Sequence, residues 1–474
     1  MPSELNNAIW SMDRDHVIHP YANYLHFPKK GSVVFDRAER HTITDADGKS
    51  YLDAMAGLWC VNLGHGHPAL VETIAAQAAR LAYFNTFEDA TSAPAAQLAH
   101  KLAQLAPGTL NHAFFSTGGS MANDTAIKMV HYYFNQCGLP EKKLVISRNL
   151  GYHGSTFLAH TLTGIRVTHA GFDIAKGLVH YVSAPYAYRY GHGMDDEAFL
   201  DYLTAEFESM ILSLGPNRVA AFIAEPIMGA GGVIVPPEGY HRAMWEICQR
   251  YGLLYIADEV VTAFGRLGAM ITSETLFGYA PDILVLAKGI SSGYVPLGAT
   301  MVSDEIHDVI ARPKDDNPSF SHGFTYSGHP LACAVGLKNI ELLEEERWCE
   351  HVQTWGPYFE TELFTLADHP LVGEARGSHY MLCLELVRDK RSKAGFDPSV
   401  EIAKRVYFHA KERGLMMRPI GPLCVFSPPL TFDQAAIDET VEIVHQSLDA
   451  TLSDLKREGI LTKSVAVPSP ALTS

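Results

Sequence analysis

Short, solid apolar runs recur along this chain of 474 residues and alternate with segments whose apolar residues repeat at helical spacing. That alternation restricts the fold more than any other feature. The clearest runs cover 113–115, 144–146, 219–224, 253–257 and 283–287, each suited to a strand buried on both faces. Between them lie helical patterns, such as Leu70, Ile74, Ala78 and Leu81, and predicted helices over 122–134 and 240–251, the second closed by Gly252. The expected fold class is α/β, a mostly parallel central sheet covered by helices.

The flanks read differently. The first 30 residues, rich in His, Tyr and Pro, are expected to form an irregular arm. Two strand-like runs, 33–36 and 41–44, precede the turn Asp45-Ala46-Asp47-Gly48 and Tyr51-Leu52, which predicts a small meander. After a Gly- and Pro-rich passage over 289–328, a long helix is expected over 330–349. Helices over 401–413 and 437–455 and strands over 380–387 and 424–427 follow, giving a smaller α+β domain. The implied division is 1–65 as arm and strands belonging to the small domain, 66–329 as the large domain, and 330–474 as the C-terminal small domain. Its tail over 464–474 is expected to be frayed.

Charge narrows the function. Lys and Arg number 37 against 53 Asp and Glu, a net charge of −16, and no basic run accumulates, which argues against nucleic-acid or anionic-membrane partners. No apolar stretch approaches the ~18 residues of a membrane span, and the N-terminus lacks a basic region followed by an apolar block. The seven cysteines (60, 137, 248, 333, 349, 383, 424) lie far apart without a C-x-x-C pair, as befits reduced thiols. The expected location is cytoplasmic.

Three apolar runs each end in one ionisable residue: Glu225, Asp258 and Lys288. Strands commonly leave a sheet through a polar residue, but three successive ones deliver an acid, an acid and an amine to one edge. In open α/β sheets ligands bind at that edge. Lys288, at the end of an apolar strand and before Gly289, is expected to be desolvated, which favours a nucleophilic neutral amine. Such amines form imines with aldehydes. If the aldehyde is pyridoxal 5'-phosphate, Asp258 suits the protonated pyridine nitrogen, and Val260, two residues on, points to the same side to pack on the ring. Ser116-Thr117-Gly118-Gly119-Ser120, between a strand and a helix, offers a phosphate cradle, with Gly119 and Ser120 the expected contacts. Tyr152, beside His153 in the glycine loop Asn149-Leu-Gly-Tyr-His-Gly-Ser, could lie flat on the ring.

These residues resemble the fold-type I, class III aminotransferases, and more narrowly the ω-amino acid or amine:pyruvate transaminases. The similarity runs from about Ala54 to Leu455. It is carried by Leu52-Asp-Ala-Met-Ala-Gly-Leu-Trp-Cys60, Gly151-Tyr-His-Gly154, Ala224-Glu-Pro-Ile227, Ala257-Asp-Glu-Val260, Phe264-Gly-Arg266, Ala287-Lys-Gly289, His322-Gly-Phe-Thr-Tyr-Ser-Gly-His-Pro330 and Ser427-Pro-Pro-Leu430. The resemblance implies that Lys288 is the Schiff-base lysine and proton shuttle, Asp258 the pyridinium partner, and Gly119 with Ser120 part of the phosphate cup. Tyr152 and Val260 would sandwich the ring, and Glu225 would bond near Asp258 and the cofactor's hydroxyl side. Thr325 would reach the phosphate of a neighbouring subunit in an obligate homodimer, or dimer of dimers. Trp59, Tyr21 and Phe87 would line the substrate cavity. Arg418 would pair with the keto-acid carboxylate and swing aside for an uncharged amine, in a ping-pong exchange between a primary amine or ω-amino acid and a keto acid such as pyruvate. Two positions depart from the family pattern: Met121 stands where Glu is usual, removing a carboxylate near the phosphate helix, and Ala263 where Gly is usual.

Other chemistries fit less well. Gly289-Ile-Ser291-Ser-Gly293 satisfies G-x-S-x-G, but Tyr294-Val-Pro-Leu-Gly298 forbids the helix that a nucleophile elbow needs. Gly64-His-Gly-His67 lacks the further ligands of a metal site, so no metal is expected. A non-catalytic binding protein would be expected to lack the lysine or its acid. An aminomutase or decarboxylase would use the same cofactor groups and remains open on these residues.

Overall fold

The computed structural model describes residues 4–25, 27, 32–314 and 319–461. Its central sheet has seven strands in the order His112–Ser116, Gly298–Val302, Ile283–Leu286, Leu254–Asp258, Val219–Ala224, Leu144–Arg148, Val179–Val182. Only Gly298–Val302 runs against the rest, pairing antiparallel with both neighbours. Side chains on a strand alternate between faces, so each face has its own core. Ala221, Ile223, Ile256 and Val285 pack under the helix Gly119–Gln136, while Phe222, Tyr255 and Leu284 pack with Asp196–Leu214 and Tyr240–Tyr251. The five expected strands are present. Val179–Val182 and Gly298–Val302 are additional: the first mixes His and Tyr with its valines, and the second follows a proline passage that reads as loop.

A second sheet joins Phe35–Glu39, Thr42–Asp45 and Ser50–Asp53 as the expected meander. Its turn is fixed by Asp45, whose Oδ1 accepts the N–H groups of Asp47 (3.1 Å) and Lys49 (2.9 Å). The fourth strand, Leu415–Met416, comes from the far end of the chain and lies parallel to Ser50–Asp53. A third sheet, Val372–Ser378, Met381–Leu386, Leu423–Phe426 and Arg418–Ile420, is antiparallel throughout.

Two expectations are corrected. The N-terminal segment is not wholly irregular, because Glu4–His16 is helical; the His, Tyr and Pro residues that suggested an arm are concentrated at its end and beyond it. The helix expected over 330–349 is two: Pro330–Glu345 stops where Arg347 turns left-handed (φ 58°), and Trp348–Phe364 begins anew. The tail over 464–474 lies outside the described residues. No helix among the described residues is long and apolar enough to cross a membrane.

Candidate active site

Adjacent parallel strands carry Glu225, Asp258 and Lys288 to one edge of the sheet, as the apolar runs predict. Asp258 is the last residue of its strand and 4% exposed. A buried carboxylate must be hydrogen-bonded to stay charged. Asn123 Nδ2 and His153 Nδ1 each lie 2.8 Å from its Oδ2, and its Oδ1 accepts the Val260 N–H at 3.1 Å. Asn123 sits in the first turns of the helix Gly119–Gln136 and also donates to the His153 carbonyl at 2.8 Å. Neither residue was expected as a site residue. The signals were present, His153 beside Tyr152 in a glycine loop and Asn123 beside the phosphate cradle, but their convergence belongs to the fold.

Glu225 makes its hydrogen bonds to backbone groups near Asp258. Its Oε1 accepts the Tyr152 N–H (3.0 Å) and its Oε2 the Gly229 N–H (2.7 Å). Burial pushes its carboxyl up, with the charges of His153 and Arg148 opposing. Arg148, fully buried behind it, donates to the Glu225 carbonyl at 2.6 Å.

Lys288 has left-handed backbone geometry (φ 47°) and opens a 3-10 turn, Lys288–Ser291. Its Nζ lies 5.5 Å from the centre of the Trp59 ring. Desolvation pulls the ammonium pKa down, and Asp258 and Glu225 restore part of it. Trp59 is buried with the edge of its indole against Gly229, where a Cβ would come within 2.2 Å of Cζ3.

The helix Gly119–Gln136 points its N-terminus at this cluster. Its first intrahelical bond is Ala122 N–H to Gly118 oxygen, so the N–H groups of Gly119, Ser120 and Met121 precede the ladder and are suited to an anion. A Cβ at Gly119 would stand 2.9 Å from Val260 Cγ2, which fixes glycine there and places Val260 over the helix start. Ser120 Oγ accepts the Ser155 N–H at 3.0 Å. Met121 takes the Thr117 hydroxyl on its sulfur at 2.8 Å, and the first turn holds no acidic side chain to oppose an anion.

A cavity of about 790 Å³ joins these groups, lined by Lys288, Asp258, Glu225, Gly119, Ser120, Tyr152, Val260, Trp59, Tyr21 and Arg418. Burial pushes the Tyr152 hydroxyl up to about 12. Arg418 enters from the strand Arg418–Ile420 and has no carboxylate partner among the described residues; desolvation pulls its pKa down. Phe87 and Thr325 do not line the cavity of their own chain. Thr325 is held through its carbonyl by the Tyr83 hydroxyl (2.5 Å), and Phe87, 49% exposed, packs at Gly323. Ser291 donates to the Val295 carbonyl (2.7 Å), and the Lys288–Ser291 turn is followed by loop, not by the helix of a nucleophile elbow. His65 and His67 bond to Asp53 and Glu346, and no cluster among the described residues is arranged to hold a metal ion.

An amine, a buried carboxylate, a flat aromatic and an open helix N-terminus around one cavity fit an aldehyde-bearing pyridine phosphate. The family model described as Aminotransferase class-III matches residues 27–448. The chain belongs to that family, fold-type I enzymes that depend on pyridoxal 5'-phosphate and transfer amino groups. It is 43% identical to a putrescine–pyruvate aminotransferase of Pseudomonas aeruginosa over 95% of this chain and 99% of that protein. Among solved structures, an (S)-enantioselective omega-transaminase from Thermomicrobium roseum superposes with TM-score 0.92 at 42% identity, covering 94% of this chain and 99% of the other. The omega transaminase of Pseudomonas jessenii in complex with PMP does so with TM-score 0.92 at 39% identity, over 96% and 99%.

Proposed function

We propose that this chain is an amine:pyruvate transaminase of the ω class, acting as a cytoplasmic homodimer. The carrying observation is Arg418, a guanidinium without a carboxylate partner among the described residues, in an otherwise largely apolar cavity that has an amine, Lys288, within it. One cavity must accept in turn an uncharged amine body and a keto-acid carboxylate. A guanidinium binds the carboxylate in bidentate fashion and can leave the apolar body to Trp59 and Tyr21. The relatives named for pyruvate and for omega-transamination support this reading.

Lys288 would hold the cofactor through Nζ and, as a free amine, would carry the proton between the donor carbon and the cofactor. Asp258, hydrogen-bonded to Asn123, His153 and the Val260 N–H, would pair with the pyridine nitrogen. Gly119 and Ser120 would bind the phosphate and Tyr152 and Val260 would flank the ring, while the Glu225 carboxylate holds the Tyr152 loop through the Tyr152 N–H. Bound pyridoxal 5'-phosphate supplies the electron sink and the temporary store of nitrogen. Because donor and acceptor share the cavity, the exchange is ping-pong. Residues 66–329 form the cofactor-binding unit, and 1–65 with the chain from 330 onward form the small domain. Phe87 and Thr325 serve the cavity of a second copy, which the exposure of Phe84 (54%), Phe87 (49%) and Tyr326 (55%) on one surface supports.

Borohydride reduction of the holoenzyme followed by peptide mass spectrometry should place the cofactor on Lys288, and Lys288→Ala should lose transamination between an amine and pyruvate. An unlabelled Lys288 peptide, or a Lys288→Ala variant with parental turnover, would refute the assignment.

A further inference from the structure

Away from the cofactor groups, a buried ionic cluster ties the small-domain sheet to the wall of the cavity. Arg376, on the strand Val372–Ser378, donates from Nη1 to Glu374 (2.6 Å) and Glu385 (2.7 Å), and from Nε to the Gly232 carbonyl at 2.8 Å. Glu385 also binds the Tyr186 hydroxyl and Arg189 Nε (2.7 Å), and the Tyr186 ring centre lies 4.6 Å from the Arg376 guanidinium carbon. Tyr186 and Arg189, from a segment distant in sequence, thus converge with Arg376 on one carboxylate.

Gly232 belongs to a tight loop closed by the Met228–Ile234 bridge and by Gly232 and Val233 N–H bonds to the Gly229 carbonyl, both 3.0 Å. The same loop presents Gly229 to the Cζ3 edge of Trp59, and Ala230 to the cavity. Val233 packs in one cluster with Trp59, Met381, Leu423 and Val425. Moving the Gly232 carbonyl therefore moves the backbone that the edge of the indole abuts.

We propose that Arg376 is a positioning residue for donor specificity: by clamping the Met228–Ile234 loop to the small-domain sheet it sets the depth of Trp59, and with it the space for the donor's body. A guanidinium suits the task because its planar fork directs Nε at the carbonyl and Nη1 at the two carboxylates in one fixed geometry. The inference rests on the donor cavity assigned above.

The test compares holoenzymes with pyruvate as acceptor and two donors, 1-phenylethylamine and 2-aminopropane. A parent enzyme that uses neither donor refutes the cavity assignment itself. Given parental turnover, Arg376→Met should lower kcat/KM for 1-phenylethylamine about tenfold, through KM, and that for 2-aminopropane no more than about twofold. Amide hydrogen exchange across 226–235 should accelerate in the variant. A fall shared equally by both donors, or none, with unchanged exchange in that loop, overturns the proposal and leaves Arg376 a stabilising residue only. If Arg376→Met does not fold, Glu385→Gln, which keeps the shape and loses the charge, gives the same two readouts with the same expected directions.

Discussion

His153 Nδ1 stands 2.8 Å from Asp258 Oδ2, with both side chains buried, and the same oxygen accepts the Asn123 amide. A carboxylate paired with an imidazole at this distance accepts where the ring nitrogen facing it carries the hydrogen. Asp258→Asn removes the charge and should lower kcat by about 10³-fold. His153→Leu leaves the Asn123 and Val260 bonds in place and should cost about tenfold. Steady-state kinetics of the two holoenzymes decide the order; equal losses would contradict it.

Arg418 should act on one substrate only. Arg418→Leu is expected to raise KM for pyruvate about 10²-fold while KM for an uncharged monoamine stays near the parental value. Separate determination of the two constants in the ping-pong scheme checks this, and a matching rise in both would assign Arg418 to general packing.

Gly119→Ala places a methyl group against Val260, which is itself held by Asp258. Overpacking of this kind costs about 1–3 kcal/mol. Melting curves with and without added pyridoxal 5'-phosphate should show a larger loss with cofactor than without, since the cradle deforms where the phosphate binds.

Stability should fall on the acid side through His241. Its Nδ1 and Nε2 lie 2.8 Å from the Tyr255 hydroxyl and the Pro226 carbonyl, and burial pulls its pKa down to about 3. The unfolded chain therefore binds a proton below pH 6.5 that the folded chain refuses until about pH 3. Stability is complete above 6.5 and is lost toward pH 3, by up to about 1.4 kcal/mol per pH unit. Denaturant titrations from pH 7 to 4 should show this slope in the parent and a shallower one in His241→Gln.

The strand exits were legible because a strand buried on both faces is apolar throughout, so Glu225, Asp258 and Lys288 stand out against it. The helix Tyr240–Tyr251 was legible at its end because Gly252 takes a left-handed conformation (φ 63°) that stops it. Gly298–Val302 was hidden by Pro296 and its own glycine, and its reversed direction is a property of the sheet. The bonds of His153 and Asn123 to Asp258 span 105 and 135 residues, and no local pattern announces them. Phe87 was expected in the cavity, yet the residues of one chain leave it outside, because its proposed role needs a second copy.

The parallel pairing of Ser50–Asp53 with Leu415–Met416 also bears on biosynthesis. Lys49 donates to the Lys411 carbonyl, 362 positions on, and Leu52 to that of Gly414. A nascent chain must carry an open strand edge until almost all of it has left the ribosome, the condition under which unpaired edges recruit other chains. Shortening the gene before codon 414 should therefore yield insoluble product even though the codons of every cofactor-binding residue proposed above would survive.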